Sequence, residues 1–183
     1  MAGILAPSGC SPDLPKLDDP PRARVPGAPC PTAPKSSPKE PVLRMWCRLE
    51  RRDVKGAEAA YDIRARRALG PVLPTTLEVL REHRVYARAA IVDVLTVKRS
   101  QQSGPAVIVR IGPPGHKVKT QWYRVVRNGS GWAITWDTTL RFSLLAYLSP
   151  TKMPFSVPRP RVNRDTLVAA VRRYDALFLE RPH

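Results

Sequence analysis

This chain of 183 residues has three cysteines and three histidines, and their spacing limits the metal sites and thiol reactions that it can support. Cys10, Cys30 and Cys47 form no CxxC pair, and no HxH, HxxxH or HExxH spacing is present. Zinc sites use such spacings, so we expect no metal site. Two roles remain for the cysteines: lipidation of Cys10, and a disulfide between Cys30 and Cys47.

Cys10 ends a short apolar run, Met-Ala-Gly-Ile-Leu-Ala-Pro-Ser-Gly-Cys. The run resembles the end of a bacterial lipoprotein signal, although it lacks a basic n-region and carries Pro7 where a Leu-like residue is typical. On this interpretation residues 1–9 are a truncated signal and Cys10 is lipidated. The alternative is a disordered N-terminus with a chance cysteine.

A Cys30–Cys47 disulfide would close a loop of ~17 residues and stabilise the fold by roughly 3 kcal/mol. It would also indicate an oxidising compartment. The alternative is that Cys47 is a small buried apolar residue and that Cys30 is free.

Prolines and charges divide the chain into segments. Ten of the 21 prolines precede residue 40, with five basic and four acidic residues in the first forty. Nearly all of the net charge of +16 therefore lies on residues 41–183. We expect residues 1–40 to be a disordered Pro-rich tether, 41–149 a folded domain and 150–183 a C-terminal extension. No window approaches the ~20 apolar residues of a membrane span.

Arginine runs on the folded part predict an anion-binding surface. Its candidates are Arg64, Arg66, Arg67, Arg81, Arg84 and Arg88. No helix-turn-helix, RNP or zinc-finger pattern accompanies them, so we expect no sequence-specific nucleic-acid binding. Nonspecific polyanion binding, anionic lipid headgroups and acidic envelope polymers stay open.

Helical periodicity dominates the first half of the domain. Residues 42–52 predict a helix, Asp53 caps a second helix that runs to Gly70-Pro71, and Thr75 or Thr76 caps a third. In the second half, Asn163 caps a last helix over 163–180.

Period-two patterns predict four strands between these helices. They cover 85–99 with a bulge, 106–111, 119–127 and 132–138, the last with Trp132, Ile134 and Trp136 on one face. Asn128-Gly129-Ser130-Gly131 predicts a hairpin turn. Residues 142–148 extend the last strand or form a helical turn. The fold class is α+β, with N-terminal helices packed on a curved antiparallel sheet and a C-terminal helix. No βαβ alternation is present, and we expect no cofactor.

Two stretches resemble the nuclear transport factor two-like superfamily, a cystatin-like cone that includes polyketide cyclases and ketosteroid isomerases. They are Val42–Tyr61 (VLRMWCRLERRDVKGAEAAY) and Trp122–Ile134 (WYRVVRNGSGWAI). The resemblance covers roughly 41–149 and implies a cup with a pocket between helices and sheet. Some members are enzymes and many are accessory modules, so fold alone does not decide the function.

The enzymes of this superfamily imply an acid–base role for Asp93 or Asp137, with Tyr61 as a hydrogen-bond donor; Tyr86 and His83 are further donors. The alternative is that both carboxylates are partnered on the sheet. Asp93 would then pair with Arg88, Lys98 or Arg110, and Asp137 with Arg124 or Arg127.

We therefore expect a non-enzymatic, extracytoplasmic interaction or accessory module with a basic surface, anchored to a membrane through Cys10 or secreted. Its partner is another protein or an anionic surface, and a homodimer is compatible with the pattern. The alternatives are a small isomerase, cyclase or dehydratase, a nonspecific polyanion or nucleic-acid binder, and a cytoplasmic location.

Overall fold

The computed structural model describes residues 32–82, 90–98, 105–112, 119–148 and 162–179. The elements follow one another as α1 (Glu40–Glu50), α2 (Val54–Glu58), α3 (Ile63–Leu69), α4 (Val72–Glu82), β1 (Ala90–Lys98), β2 (Pro105–Gly112), β3 (Lys119–Asn128), β4 (Gly131–Asp137), α5 (Thr138–Leu148) and α6 (Arg164–Leu179). The expected α+β class, with helices first, an antiparallel sheet and a C-terminal helix, is confirmed.

The second predicted helix is two helices. Asp53 caps α2, as its position predicts, by accepting from the Gly56 N–H at 2.8 Å. The chain then leaves the helix, and the Asp62 N–H donates to the Ile134 carbonyl at 2.8 Å while the Ile134 N–H donates to the Ala60 carbonyl at 2.9 Å. These bonds join the chain to the edge strand β4, and this long-range pairing overrides the local helical pattern.

Asp62 and Gly70 bound α3. The Asp62 carboxylate accepts from the Ala65 N–H at 2.7 Å, so it caps the helix that follows the break. Gly70 has φ +52°, in the left-handed region that suits glycine after a helix.

The predicted threonine cap of the third helix is wrong. The helix α4 begins at Val72, and Thr75 and Thr76 lie inside it. Their hydroxyls donate back to the carbonyls of Pro71 and Val72, at 2.9 and 2.7 Å, because a threonine within a helix bonds the preceding turn. His83, Arg84, Tyr86 and Arg88 lie outside the described residues.

The four strands form an antiparallel meander in the order β1-β2-β3-β4. The register of β1 shifts between Ile91 and Asp93, which confirms the bulge predicted in the first strand. The Asn-Gly turn is also confirmed, with Gly129 at φ +59°.

A second bulge changes the face of β4. Arg124 pairs with Trp136 and the next residue, Val125, pairs with Ile134, so Thr135 has no counterpart on β3. The extra residue shifts the alternation of side chains by one. The prediction that Ile134 and Trp136 share a face is therefore wrong, because Trp136 lies opposite Arg124.

Helices follow the sheet. Residues 138–148 form the helix α5. Of the two alternatives for residues 142–148, an extension of the last strand and a helical turn, the helical one is observed. The predicted cap of α6 is confirmed, since the Asn163 Oδ1 accepts from the Thr166 N–H at 2.7 Å.

The core lies between the helices and one face of the sheet. Alternation along the strands sends four buried side chains into it, from Val107, Tyr123, Val125 and Ile134. Residues 32–39, the end of the Pro-rich segment, lie against the β3–β4 hairpin, where the Ser36 carbonyl accepts from the indole N–H of Trp132 at 2.8 Å. No helix in the described ranges has the length and apolarity needed to cross a membrane.

Candidate functional site

Asp137 stands where β4 ends and α5 begins. Its Oδ1 accepts from the Leu140 N–H at 2.7 Å, so the carboxylate caps α5. A carboxylate at this position also meets the positive end of the helix dipole. Sequence reasoning singled out Asp137 as a candidate base, and its local setting gives it a second, structural role.

Two tyrosines from distant parts of the chain complete the site. The Tyr61 hydroxyl donates to Asp137 Oδ2 at 2.7 Å. The Asp137 N–H donates to the Tyr174 hydroxyl at 2.9 Å, and that hydroxyl lies 3.4 Å from the same Oδ2. Asp137 is only 1% exposed, and both tyrosines are buried. We call these three residues the Asp137 cluster.

Burial sets the protonation of the cluster. Loss of solvent raises the pKa of Asp137 to about 6, although the Leu140 N–H and the Tyr61 hydroxyl pull it down. Burial, together with the neighbouring negative charge, raises the pKa of Tyr61 and of Tyr174 well above 10. The tyrosines therefore remain neutral donors across the physiological range.

The expected arginine partners of Asp137 lie elsewhere. Arg124 Nη1 donates to the carbonyls of Leu177 and Phe178, at 2.6 and 2.8 Å. The Arg127 guanidinium lies over the Trp132 ring, 4.4 Å from its centroid. The predicted pairing of Asp137 with an arginine is wrong, because tyrosine hydroxyls and a helix N-terminus satisfy the carboxylate instead.

Asp93, the other candidate base, lies in β1. Its register position is opposite Arg110 of β2, one of the residues that sequence reasoning proposed as a partner. Its side chain lies outside what the structure describes.

A cavity of about 210 Å³ opens on the face of the sheet where Arg124 and Trp136 lie. It is lined by Ala106, Trp122, Tyr123, Arg124, Trp136, Thr138 and Phe178. Asp137 does not line it, although both of its chain neighbours do. The resemblance implies a pocket between helices and sheet, where the described residues instead pack into the core.

The candidate arginines are distributed over two helices. Arg64, Arg66 and Arg67 lie on α3, and Arg81 lies in the last turn of α4. Arg64 Nε is 3.1 Å from the Asp62 carboxylate, so this arginine is neutralised by a near neighbour. Arg84 and Arg88 fall outside the described residues.

Packing of α6 on α3 brings one further arginine, Arg173, against the end of α3, and Arg172 precedes it on α6. Arg173 Nε donates to the Ala68 carbonyl at 3.0 Å, beside Arg67 in the last turn of α3. Arg67, Arg172 and Arg173 are exposed, and Arg66 is half-buried. We call Arg66, Arg67, Arg172 and Arg173 the α3–α6 arginine surface.

The sequence analysis does not predict the observed roles of two site residues, Tyr174 and Arg124. Tyr174 is not among the residues that the sequence predicts for the site, and the sequence predicts Arg124 only as an alternative partner of Asp137. The signal for Tyr174 is a hydroxyl on an otherwise aliphatic stripe, because a buried tyrosine needs a hydrogen-bond partner. No local signal predicts that Arg124 bonds the end of α6, which is more than fifty residues away.

Cys47, on α1, is disulfide-bonded. Cys10 and Cys30 lie outside the described residues, so the pairing with Cys30 stays a prediction. Within the described ranges, no group of three His, Cys, Asp or Glu side chains is placed to hold a metal ion.

No family model matches this chain, and neither a curated protein nor a solved structure matches it.

Proposed function

We propose that the protein is a non-enzymatic, extracytoplasmic interaction module that binds an anionic surface. The observation that carries the proposal is the α3–α6 arginine surface. Residues 32–39 pack on the domain, so the Pro-rich segment that precedes them would be the tether that holds the domain near a membrane, with Cys10 as the anchoring residue.

Within the described ranges, the nearby acids Asp62 and Asp175 pair with other arginines. The Asp62 carboxylate is taken by Arg64, and Arg141 Nε lies 2.8 Å from the Asp175 carboxylate. A basic face of this kind attracts anionic lipid headgroups by about 1 kcal/mol for each residue near the surface. The planar guanidinium also suits phosphate and carboxylate oxygens.

The Asp137 cluster favours a structural role over catalysis. Its carboxylate already accepts from Leu140 and Tyr61, lies within 3.4 Å of the Tyr174 hydroxyl and is 1% exposed. A general base must lie within hydrogen-bond reach of the proton it removes, and the described cavity does not reach Asp137.

The disulfide of Cys47 supports the extracytoplasmic location. Such bonds persist in oxidising compartments and are rare in the cytosol. This agrees with a tethered or secreted domain.

Vesicle binding tests the proposal. The full chain should co-sediment with vesicles of phosphatidylcholine and phosphatidylglycerol and stay in the supernatant with pure phosphatidylcholine. Binding should weaken between 50 and 200 mM salt, because the attraction is electrostatic. Equal binding to both vesicles, or none to either, would exclude an anionic lipid surface. Free heparin added as a competitor shows whether an acidic polymer replaces the lipid.

A small isomerase, cyclase or dehydratase is the second candidate function. The observation that favours it is the pairing of Asp137, whose pKa is raised to about 6, with the donor Tyr61. Carbodiimide labelling at pH 6 with glycinamide, mapped by mass spectrometry, distinguishes a structural Asp137 from a catalytic one. A sealed structural carboxylate stays unlabelled in the native protein while exposed acids react. Labelling of native Asp137 would favour the enzyme.

A further inference from the structure

We propose that the cavity on the outer face of the sheet, opposite the core, binds a neutral ligand with a single aromatic ring. None of the residues of the α3–α6 arginine surface lines this cavity, so the site does not depend on the proposed function. The shape of the cavity, the bonds of its polar side chains and its size each limit what it can bind.

A small residue makes room for the cavity. Ala106 of β2 pairs with Arg124 of β3, and Arg124 pairs with Trp136 of β4, so the three residues form a row across the outer face. Trp122 lies two residues before Arg124 on β3 and therefore shares this face. Because the side chain of alanine is a single methyl group, the row leaves a hollow beside the two indole rings.

Aromatic rings form the walls of this hollow. Trp122 and Trp136 come from adjacent strands, and Phe178 comes from the end of α6. The Trp136 and Phe178 ring centroids are 4.6 Å apart and their planes are tilted by 43°. Phe178 is 41% exposed, and exposed aromatic side chains around a concave apolar site are typical of a binding site. A flat ring gains from offset or edge-on contact with such walls.

The polar side chains of the lining already have partners within the protein. Arg124 Nη1 donates to two carbonyls at the end of α6, at 2.6 and 2.8 Å. Thr138 Oγ1 accepts from the Trp122 N–H at 2.9 Å, and the Tyr123 hydroxyl donates to Gln121 at 2.9 Å. An ionic group on the ligand would lose its hydration shell in the cavity without gaining a partner in exchange, which weakens binding. The ligand is therefore neutral.

The indole N–H of Trp136 does not change this conclusion. Within the described part of the chain it has no hydrogen-bond partner, but it is also buried away from solvent. A ligand in the open cavity therefore contacts the ring of Trp136 and not its N–H.

The volume limits the ligand to a single ring. A cavity of about 150 Å³ is enough for benzene, whereas drug-sized ligands use roughly 300 Å³ or more. The cavity here, about 210 Å³, is between the two. It suits a phenyl ring with one short neutral substituent.

The first test compares three probes of similar size on the full wild-type chain by NMR titration: benzyl alcohol, benzoate and cyclohexylmethanol. Benzyl alcohol should bind with a Kd of about 1 mM. Benzoate should bind at least about tenfold more weakly, because its charge must be desolvated, and cyclohexylmethanol about threefold or more weakly, because it has no aromatic ring. Benzoate as tight as benzyl alcohol would overturn the neutral ligand, and equally tight cyclohexylmethanol would overturn the aromatic one. No binding of benzyl alcohol would overturn the site.

The indole N–H signals of the four tryptophans locate the probe in the same titration. Benzyl alcohol should shift the signals of Trp122 and Trp136, because an aromatic ring in the cavity changes the magnetic field at both indoles. The signals of Trp46 and Trp132, which lie outside the lining, should stay in place. Shifts confined to Trp46 or Trp132 would place the probe elsewhere and refute the proposal.

The second test uses variants of the lining. Ala106→Leu places extra carbons in the cavity without removing a hydrogen-bonding group, and it should weaken benzyl alcohol binding by at least about tenfold. Phe178→Ala removes one wall and should weaken binding by about threefold or more. Phe142→Ala is the matched control, because Phe142 is 66% exposed on α5 and lies outside the lining.

Urea unfolding of each variant confirms that it is folded before binding is compared. Unchanged affinity in Phe178→Ala, or in a folded Ala106→Leu, would contradict binding in this cavity. A loss of affinity in Phe142→Ala as large as that in Phe178→Ala would contradict it as well.

Discussion

Replacing Asp137 by asparagine should make the free energy of unfolding of the protein less dependent on pH. Asparagine can still cap α5 and can bond the tyrosine hydroxyls, because a hydroxyl accepts as well as donates. The substitution removes the negative charge, whose burial raises the pKa of the carboxyl from 3.8 to about 6. A pKa difference of about two corresponds to about 3 kcal/mol.

The direction in which stability changes with pH depends on whether the folded or the unfolded state binds the proton of Asp137 more tightly. The pKa of Asp137 is higher in the folded protein than in the unfolded chain, so the folded state holds the proton more strongly. The stabilisation is complete below about pH 3.8 and is lost as the pH rises through about 6. Between pH 4.5 and 7.5 the stabilisation that is lost amounts to about 2 kcal/mol.

Urea denaturation of the wild type and of Asp137→Asn at four pH values across this range is the assay. The free energy of unfolding of the wild type should fall, relative to the variant, by about 2 kcal/mol from pH 4.5 to 7.5. Asp53→Asn is the control: the bond from the Gly56 N–H lowers the pKa of Asp53, so its contribution to stability is already complete above about pH 4 and its difference from the wild type should stay nearly constant across this range. A constant difference between the wild type and Asp137→Asn would refute the reasoning.

Five further substitutions test the Asp137 cluster, the cap of α6 and the disulfide of Cys47. Tyr61→Phe should lower stability by about 1–3 kcal/mol and raise the pKa of Asp137 further, measured by urea unfolding and by NMR titration of the carboxyl carbon. Asn163→Ala should lower stability by about 1 kcal/mol while Asn163→Asp leaves it nearly unchanged, and equal losses would exclude the capping role. Cys47→Ser should lower stability by about 3 kcal/mol under oxidising conditions, because it removes a disulfide. Cys30→Ser should lower stability by the same amount if Cys30 is the partner of Cys47. If Cys30→Ser leaves stability unchanged, the partner is Cys10.

Local signals predicted the helix ends well. Asp53 and Asn163 cap helices where the sequence places them, because a cap depends on a side chain and on backbone groups two or three residues away. The Asn-Gly turn is equally local. These elements needed no knowledge of the rest of the chain.

Features that depend on distant contacts were not predictable. The helix break before Asp62 exists because the chain bonds Ile134 of β4 there. The Asp137 cluster joins three segments, so the sequence offered Asp137 and Tyr61 as candidates but not their contact or the third member, Tyr174. The bulge opposite Arg124 moved Trp136 to the other face and so created the aromatic wall of the cavity.

The most direct test of the proposed function compares two double variants of equal charge. Arg67→Gln with Arg172→Gln removes two exposed charges from the α3–α6 arginine surface, and Arg51→Gln with Lys55→Gln removes two exposed charges from the α1–α2 corner. Affinity for phosphatidylglycerol vesicles should fall about 30-fold in the first, from about 1 kcal/mol for each lost charge, and much less in the second. Equal losses in the two variants would show that net charge alone attracts the vesicle, which would contradict binding through this surface.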